Sequence, residues 1–466
     1  MHTSPAAEKL IRVLAFTLIL SVMNATMFNV ALPAIGAQFQ LSASQVSWVV
    51  TAYIIVYAIG SITYGKLADK YRLKDLLTIG LSFFAVGSLL GFAASHYWMI
   101  IAGRILQSIG ASVIPATAMI IPVRYFPPES RGRALGITSS GLALGTAIGP
   151  IIAGFVTSMA SWRYLFLLSV LALLTLPYYR KYLDDHKGTA GKTDLPGGSL
   201  LAVTIAVFLL GITNSSWPLF AAGAVLLALF ILYIHRTEQP FIQPAIFKNR
   251  NYSIGILVSF IGSGLGFGIP FLLPQMLTQM NHLSPAVVGF VMFPGAIAAS
   301  LLSRAGGRLA DRKGNVFLVL IAVAFQFVSF ALLSITAGIQ PSILWVFLIF
   351  GNIGATFLGI GLSNTVSRTL PREQTGVGMG LFMMVNFIAG AIATSLIGKM
   401  LDSGASAPPL NPLLLNPSAA VFSNIFLALS LLILVNTALF YFQFIRRRNR
   451  DGIDQAGHPA PEKNPA

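Results

Sequence analysis

The chain has 466 residues, 55% hydrophobic and only 9% charged, whereas a soluble domain carries about a quarter charged residues, so a soluble multidomain protein is excluded. Its excess of 16 positive charges lies in short clusters between apolar runs, a pattern of membrane-protein loops and not of a nucleic-acid surface. With no cysteine there is no disulfide, thiolate metal site or cysteine nucleophile.

The first apolar run, from about Leu10 to Ile35, is too long for a signal-peptide core and lacks an A-x-A end, so it reads as a first membrane span. In chain order, apolar windows then predict spans over 12–36, 45–65, 75–95, 97–122, 133–156 and 162–180. A polar loop, 181–198, leads to two short spans over 199–214 and 218–235, and six more follow over 251–275, 286–305, 315–337, 342–366, 376–400 and 418–445. The expected fold is an all-α polytopic membrane protein of about fourteen helices. The expected units are a six-helix half over 1–182, a linker with two additional spans over 183–250, a second six-helix half over 251–445, and a tail over 446–466.

Charge tests the count, because an even number of spans puts both termini on one side. Lys66, Lys70, Arg72 and Lys74 fall on that side, as do Arg124, Arg131, Arg133, Arg180, Lys181, Lys187, Lys192, Arg236, Lys248 and Arg250. Arg304, Arg308, Arg312, Lys313, Arg368, Arg372 and the tail arginines from Arg446 to Arg450 join them, while Arg163 and Lys399 fall near the other face. The bias predicts a multi-pass protein with both termini cytoplasmic. An internal repeat supports two halves: GKLADKYRLK begins at Gly65 after the second span and GRLADRKGNV at Gly307 after the tenth. Paired halves around a midplane site are a common transporter plan.

These two turns resemble the inner-loop signature of the major facilitator superfamily, and the chain as a whole is similar to its fourteen-span drug:proton antiporter branch, which includes Gram-positive tetracycline efflux proteins. The resemblance implies the major facilitator fold, a bacterial cell membrane, and a cytoplasmic gate formed by Gly65, Asp69, Lys70, Gly307, Asp311 and Arg312. The first copy departs from the signature with Arg72 and Leu73 where glycine and arginine are usual. GRILQSIGAS in the fourth span resembles the family's R-x-x-Q-G-x-G pattern and singles out Arg104 and Gln107; GLALGTAIGPIIAG in the fifth resembles the antiporter signature and singles out Gly145, Gly149, Pro150 and Gly154. TMFNVALPAI from Thr26 and SWRYLF from Ser161 match the branch's first-span motif and sixth-span entry.

Physical reasoning gives these positions roles. Asp69 and Asp311 can accept hydrogen bonds or pair with basic neighbours to latch one face closed, the alternative being loop charges that only set topology. Glycines at 145 and 149 with Pro150 allow close helix approach and a kink. A guanidinium at Arg104, inside a span, costs several kcal/mol unless it meets water, a partner or substrate, so it is expected to face a polar cavity or to snorkel outward. Gln107, one turn on, shares its helix face. Asn24, Asn29, Asn352, Asn364 and Asn386 are further polar groups inside spans; Asn24, Asn352 and Asn386 join Arg104 and Gln107 as candidate cavity residues, with interhelical hydrogen bonding as the alternative role.

All fourteen acids fall outside the predicted membrane interior: Glu8, Asp69, Asp75, Glu129, Asp184, Asp185, Asp194, Glu238, Asp311, Glu373, Asp402, Asp451, Asp454 and Glu462. Relatives in the branch commonly carry a carboxylate where this chain has Asn24 or Ala25, and the tetracycline exporters a glutamate at the position of Thr146. An amide does not titrate near neutrality, which argues against proton coupling through the cavity and for anionic, zwitterionic or neutral substrates. HKGTAGKTD from His186 lacks the first glycine of a phosphate-binding loop, and the six histidines show no metal-ligand spacing. The expected function is therefore a secondary transporter, not an enzyme, exporting amphiphilic small molecules such as drugs by alternating access. It is expected to be monomeric and to need no cofactor, with the bilayer, a small-molecule or lipid substrate and, by resemblance, protons as its partners. A lipid or lipid-precursor flippase and a non-transporting membrane sensor or assembly partner are the alternatives.

Overall fold

The computed structural model describes residues 5–185, 194–371, 374–404 and 408–446. Lys187, Lys192, Arg372, Glu373, the tail from 447 onward and the lysine-rich segment 186–193 lie outside the described residues. A chain in lipid must satisfy its backbone groups internally, and the described residues do so as helices. Thirteen of these helices are long and apolar enough to cross a membrane.

In chain order these are α1 (Pro5–Phe39), α2 (Ala43–Ala68), α3 (Leu73–Phe92), α4 (Tyr97–Tyr125) and α5 (Pro128–Met159). The expected sixth span, α6, is interrupted: Tyr164–Val170 and Leu176–Tyr182 are α-helical, and Leu171–Thr175 between them is a 3-10 turn. Pro177, at the start of the resumed helix, has no N–H to give the carbonyl one turn back, so the α-helical ladder lacks a bond where the 3-10 turn stands. Next come α7 (Leu195–Asn214), α8 (Trp217–Arg236), α9 (Arg250–Asn281), α10 (Pro285–Lys313), α11 (Asn315–Ile335), α12 (Pro341–Ser367), α13 (Thr375–Ser403) and α14 (Pro417–Phe444). Among the described residues the predicted count thus corresponds to these thirteen helices and one further segment with a 3-10 turn; α2, α4 and α9 each carry a one-residue interruption, at Ser47, Ser112 and Phe267.

The two copies of the repeat end their helices differently. In the second copy α10 runs through Lys313 and stops at Gly314, whose φ of 87° only glycine adopts freely, and whose N–H bonds the Ala310 carbonyl. In the first copy α2 already ends at Ala68, and Arg72, at the position matching Gly314, takes an ordinary extended conformation with φ −62°. No left-handed residue is required there, which is why an arginine is tolerated.

Helices α7 and α8 form a hairpin against α2 and α13. Asp194 pins its base: the buried carboxylate accepts from Gly197 N (2.9 Å), Tyr233 Oη (2.8 Å) and Phe241 N (2.7 Å). Helix α8 buries little, presenting Val225, Leu229 and Leu232 outward as a lipid-facing stripe. The face carrying the start of α1, the 69–72 turn and Gly314 is called the basic face below, and the opposite one the far face.

Candidate functional site

A cavity of about 680 Å³ lies between the two halves. The first half contributes Thr26 and Asn29 from α1, Tyr53 and Tyr57 from α2, and Ser139 and Thr146 from α5; the second contributes Ser259 and Phe267 from α9, Ser300 and Ser303 from α10, Asn352 from α12, and Asn386 and Phe387 from α13. Every lining side chain among the described residues is apolar or a neutral hydroxyl or amide; none carries a charge. One wall is aromatic. Tyr53 and Tyr57 stack with ring centroids 5.7 Å apart, and Tyr57 meets Phe387 of the other half edge-on at 5.2 Å, so the halves touch through rings at mid-span. A narrow extension of about 50 Å³ continues past Asn29 and Asn352 to Leu273 and Leu348.

The candidate cavity residues separate into two groups. Asn352 and Asn386 line the cavity. Asn24, Arg104 and Gln107 are fully buried and do not line it; they form a network behind its wall. Arg104 Nε donates to the Val49 carbonyl (2.9 Å), and Nη1 donates to Asn24 Oδ1 (2.7 Å) and Gln107 Oε1 (3.0 Å). Gln107 Nε2 passes the chain to Ser88 Oγ (2.8 Å), and Asn24 Nδ2 donates to Ser169 Oγ. The guanidinium is sandwiched, its central carbon 4.2 Å from the Phe28 ring centre and 4.0 Å from that of Tyr53. A planar, weakly hydrated cation suits such a slot, and stacking on two rings with three acceptors offsets desolvation without a carboxylate. Arg104 does not snorkel. Its influence on the cavity runs through Tyr53, which shows one ring face to the guanidinium and belongs to the cavity wall.

The fifth-helix glycines pack as a seam. A Cβ on Gly141 would come within 2.8 Å of the Ala15 carbonyl oxygen, and one on Gly145 within 2.7 Å of the Ile19 oxygen, while one on Gly149 would collide with Thr26 Oγ1. Helix α5 thus lies backbone to backbone on α1. Farther along, Gly154 abuts the Pro285 carbonyl and Gly289 the Pro150 carbonyl, both across the halves. Pro150 stands inside α5 where these contacts begin.

The far face is closed by contacts between the halves. Besides the Gly154 and Gly289 contacts, Ala286 N donates to Ser158 Oγ (2.9 Å), Gly398 faces the Ala43 backbone, and Asp402 accepts from the start of α2. The basic face is looser. Gly65 and Gly307 have open space where a Cβ would project, and Asp69, Lys70, Asp311 and Arg312 are exposed. Among the described residues neither aspartate makes an ion pair. Arg72 and Lys74 instead hold Asp185 within their own half, the former at 3.3 Å, and the hydrogen bond from Lys74 keeps the exposed Asp185 carboxyl below its usual pKa. Lys66 reaches the hairpin exit, 3.4 Å from the Phe241 carbonyl and 5.4 Å from its ring centre.

Sequence reasoning did not single out Tyr53, Tyr57, Phe387 or Asp402. The tyrosine pair carried a usable signal, an i, i+4 aromatic spacing on one helix face. Ser42 with Gln45 carried another, since S-x-x-Q marks a helix start, and both halves of that capping box are present. Phe387 and Asp402 reach their partners only through tertiary contact.

The Major Facilitator Superfamily pattern matches residues 14–394. The chain is 27% identical over 389 residues to the riboflavin transporter RibZ of Clostridioides difficile (strain 630), covering 82% of this chain and 85% of that one. It is 28% identical over 356 residues to multidrug resistance protein 3 of Bacillus subtilis (strain 168), covering 73% and 69%. Among solved structures, a bacterial homologue of the human lysosomal transporter Spinster matches with TM-score 0.67 at 15% identity over 98% of this chain and 100% of that one, and the nucleoside transporter NupG with TM-score 0.66 at 13% over 94% and 100%. The helices, the two halves and the cavity between them agree with that match: this chain is a membrane transporter belonging to the Major Facilitator Superfamily.

Proposed function

We propose that the protein exports uncharged amphiphilic small molecules by alternating access, its two halves rocking about the central cavity, with both termini in the cytoplasm of a bacterial cell. The observation that carries this reading is the lining itself. Both halves supply it, aliphatic and aromatic groups with neutral hydroxyls and amides make it up, and the buried cation is withdrawn behind Tyr53. Such a surface stabilises apolar and aromatic bodies that carry a few hydrogen-bonding groups, and gives a full charge no partner. With no cavity carboxylate among the described residues, competition between proton and substrate for one acid is not the coupling device, and the protein acts as a carrier, not an enzyme. The fourteen-span antiporter branch remains the best-fitting subgroup, by the hairpin between the halves and the fifth-helix motif.

The similarity to a riboflavin transporter favours planar, neutral, hydrogen-bonding compounds within that class, and the Tyr53–Tyr57–Phe387 wall offers rings for them to contact. The test is flux into proteoliposomes of riboflavin, matched neutral, cationic and anionic drugs, and fluorescent phospholipids. Preference for the neutral amphiphiles supports the reading. Transport of lipids alone would make the protein a flippase, and preference for cations would refute the uncharged site.

A further inference from the structure

Alternating access requires the far face to part, and among the contacts that tie it one carboxylate carries three hydrogen bonds across the halves. Asp402, at the last turn of α13 in the second half, accepts from three donors of the first: Ser42 Oγ to Oδ2 (2.9 Å), Ala43 N to Oδ1 (2.7 Å) and Ser44 N to Oδ2 (3.1 Å). Hydrogen bonds to an ionised acceptor are roughly twice as strong as neutral ones, and three converging on one group also fix its orientation. Gly398, one turn earlier, lets the backbones approach, since a Cβ there would stand 2.9 Å from Ser44 Cα. Lys399 adds a second tie on the same turn: its Nζ lies 3.3 Å from the Thr213 carbonyl, and Thr213 Oγ1 accepts from Trp48 Nε1 at 3.0 Å. The tip of the hairpin is thereby held to both halves where they meet.

We propose that Asp402 is the holding residue of the far-face gate, setting how long the protein keeps that face shut, a task no part of the repeated inner-loop signature performs. In this conformation the signature aspartates make no ion pair among the described residues, while Asp402 accepts three hydrogen bonds. The two ends of the molecule are therefore in opposite states, as one latch open and one latch shut requires. The proposal rests on the alternating-access reading, and the experiment separates the two.

The chain lacks cysteine, so Ser158→Cys with Ala286→Cys, placed where Ser158 Oγ and Ala286 N lie 2.9 Å apart, gives a unique far-face reporter. Disulfide formation in liposomes is timed in the wild-type background and with Asp402→Asn, Asp402→Glu or Ser42→Ala. Asparagine keeps one acceptor oxygen but turns an amide donor toward Ser42 and Ser44, so the closed-to-open ratio is expected to fall about tenfold, and the initial cross-linking rate, which follows the closed fraction, to fall with it. Ser42→Ala, which removes one of the three bonds to Asp402 together with the cap on Gln45 N, should give a smaller fall, and Asp402→Glu, which keeps the charge, should recover part of the rate. Equal rates in all backgrounds, with cross-linking still blocking riboflavin or drug flux, would overturn the role of Asp402 and leave alternating access standing. Undiminished flux in fully cross-linked protein would overturn both.

Discussion

The seam between α1 and α5 makes a prediction in which two adjacent glycines of one motif behave differently. At Gly145 an added methyl would come within 2.7 Å of the Ile19 carbonyl oxygen and 3.0 Å of Val22 Cβ, closer than real Cβ atoms come to a backbone oxygen. The obstacle is backbone, so relief needs the helices to separate by several tenths of an ångström along the seam. Overpacking of this kind costs about 1–3 kcal/mol. At Gly149 the colliding atom is Thr26 Oγ1, a side-chain hydroxyl whose own bonds go to the Val22 and Met23 carbonyls of its helix (3.1 and 3.2 Å). Removing it leaves Thr26 Cβ 3.3 Å from the Gly149 methyl, a contact a small shift relieves. Gly149→Ala should therefore lower thermal stability by about the same 1–3 kcal/mol, and adding Thr26→Ala should restore most of it. Gly145→Ala should lose as much and gain nothing from Thr26→Ala. The assay is the apparent melting temperature in detergent of these four variants, Thr26→Ala alone and the wild type, followed by tryptophan fluorescence and treated as two double-mutant cycles. Equal rescue at both positions, or rescue at neither, would refute the claim that one contact is backbone and the other side chain.

Three further outcomes follow from the cavity and its support. Arg104→Lys should raise the substrate concentration for half-maximal transport more than it lowers the maximal rate, because a point charge cannot stack on both Phe28 and Tyr53 and so frees the Tyr53 wall; an unchanged concentration dependence would detach Arg104 from the cavity. Arg104→Met should still insert and fold, since losing the donor to Asn24 and Gln107 costs about 1–3 kcal/mol per stranded acceptor while the desolvated charge, itself costly, disappears; failure to accumulate in the membrane would show the network to be essential for folding. Asn24→Asp should create no new titration of transport over about pH 5.5–8, because Arg104 Nη1 lies 2.7 Å from Asn24 Oδ1 and would keep a carboxylate there ionised; a pH-dependent rate appearing in that variant alone would contradict it.

Hydropathy made the helices legible because lipid imposes one solution on every apolar run. Segment α6 is instructive: Pro177 is visible in the sequence, but whether the turn before it stays α-helical or tightens to 3-10 depends on neighbours the sequence does not place. Gln107 as a partner of Arg104 was legible too, since i, i+3 spacing puts both on one face. That Val49, Phe28 and Tyr53 complete the slot was not, because each comes from another helix. The sequence reading therefore left Arg104 either in the cavity or at the interface, and packing placed it in neither. The same limit hid Asp402. Its loop position reads as an ordinary surface acid, and 360 residues separate it from Ser42.

The most direct test of the uncharged cavity is flux of a neutral substrate such as riboflavin, or a neutral drug identified in the transport panel, into proteoliposomes as a function of imposed pH gradient with membrane potential clamped. The account predicts the same flux with and without the gradient, because no carboxylate, histidine, lysine or arginine among the described residues lines the cavity. Strong acceleration by the proton gradient, abolished by a protonophore at the same clamped potential, would contradict it.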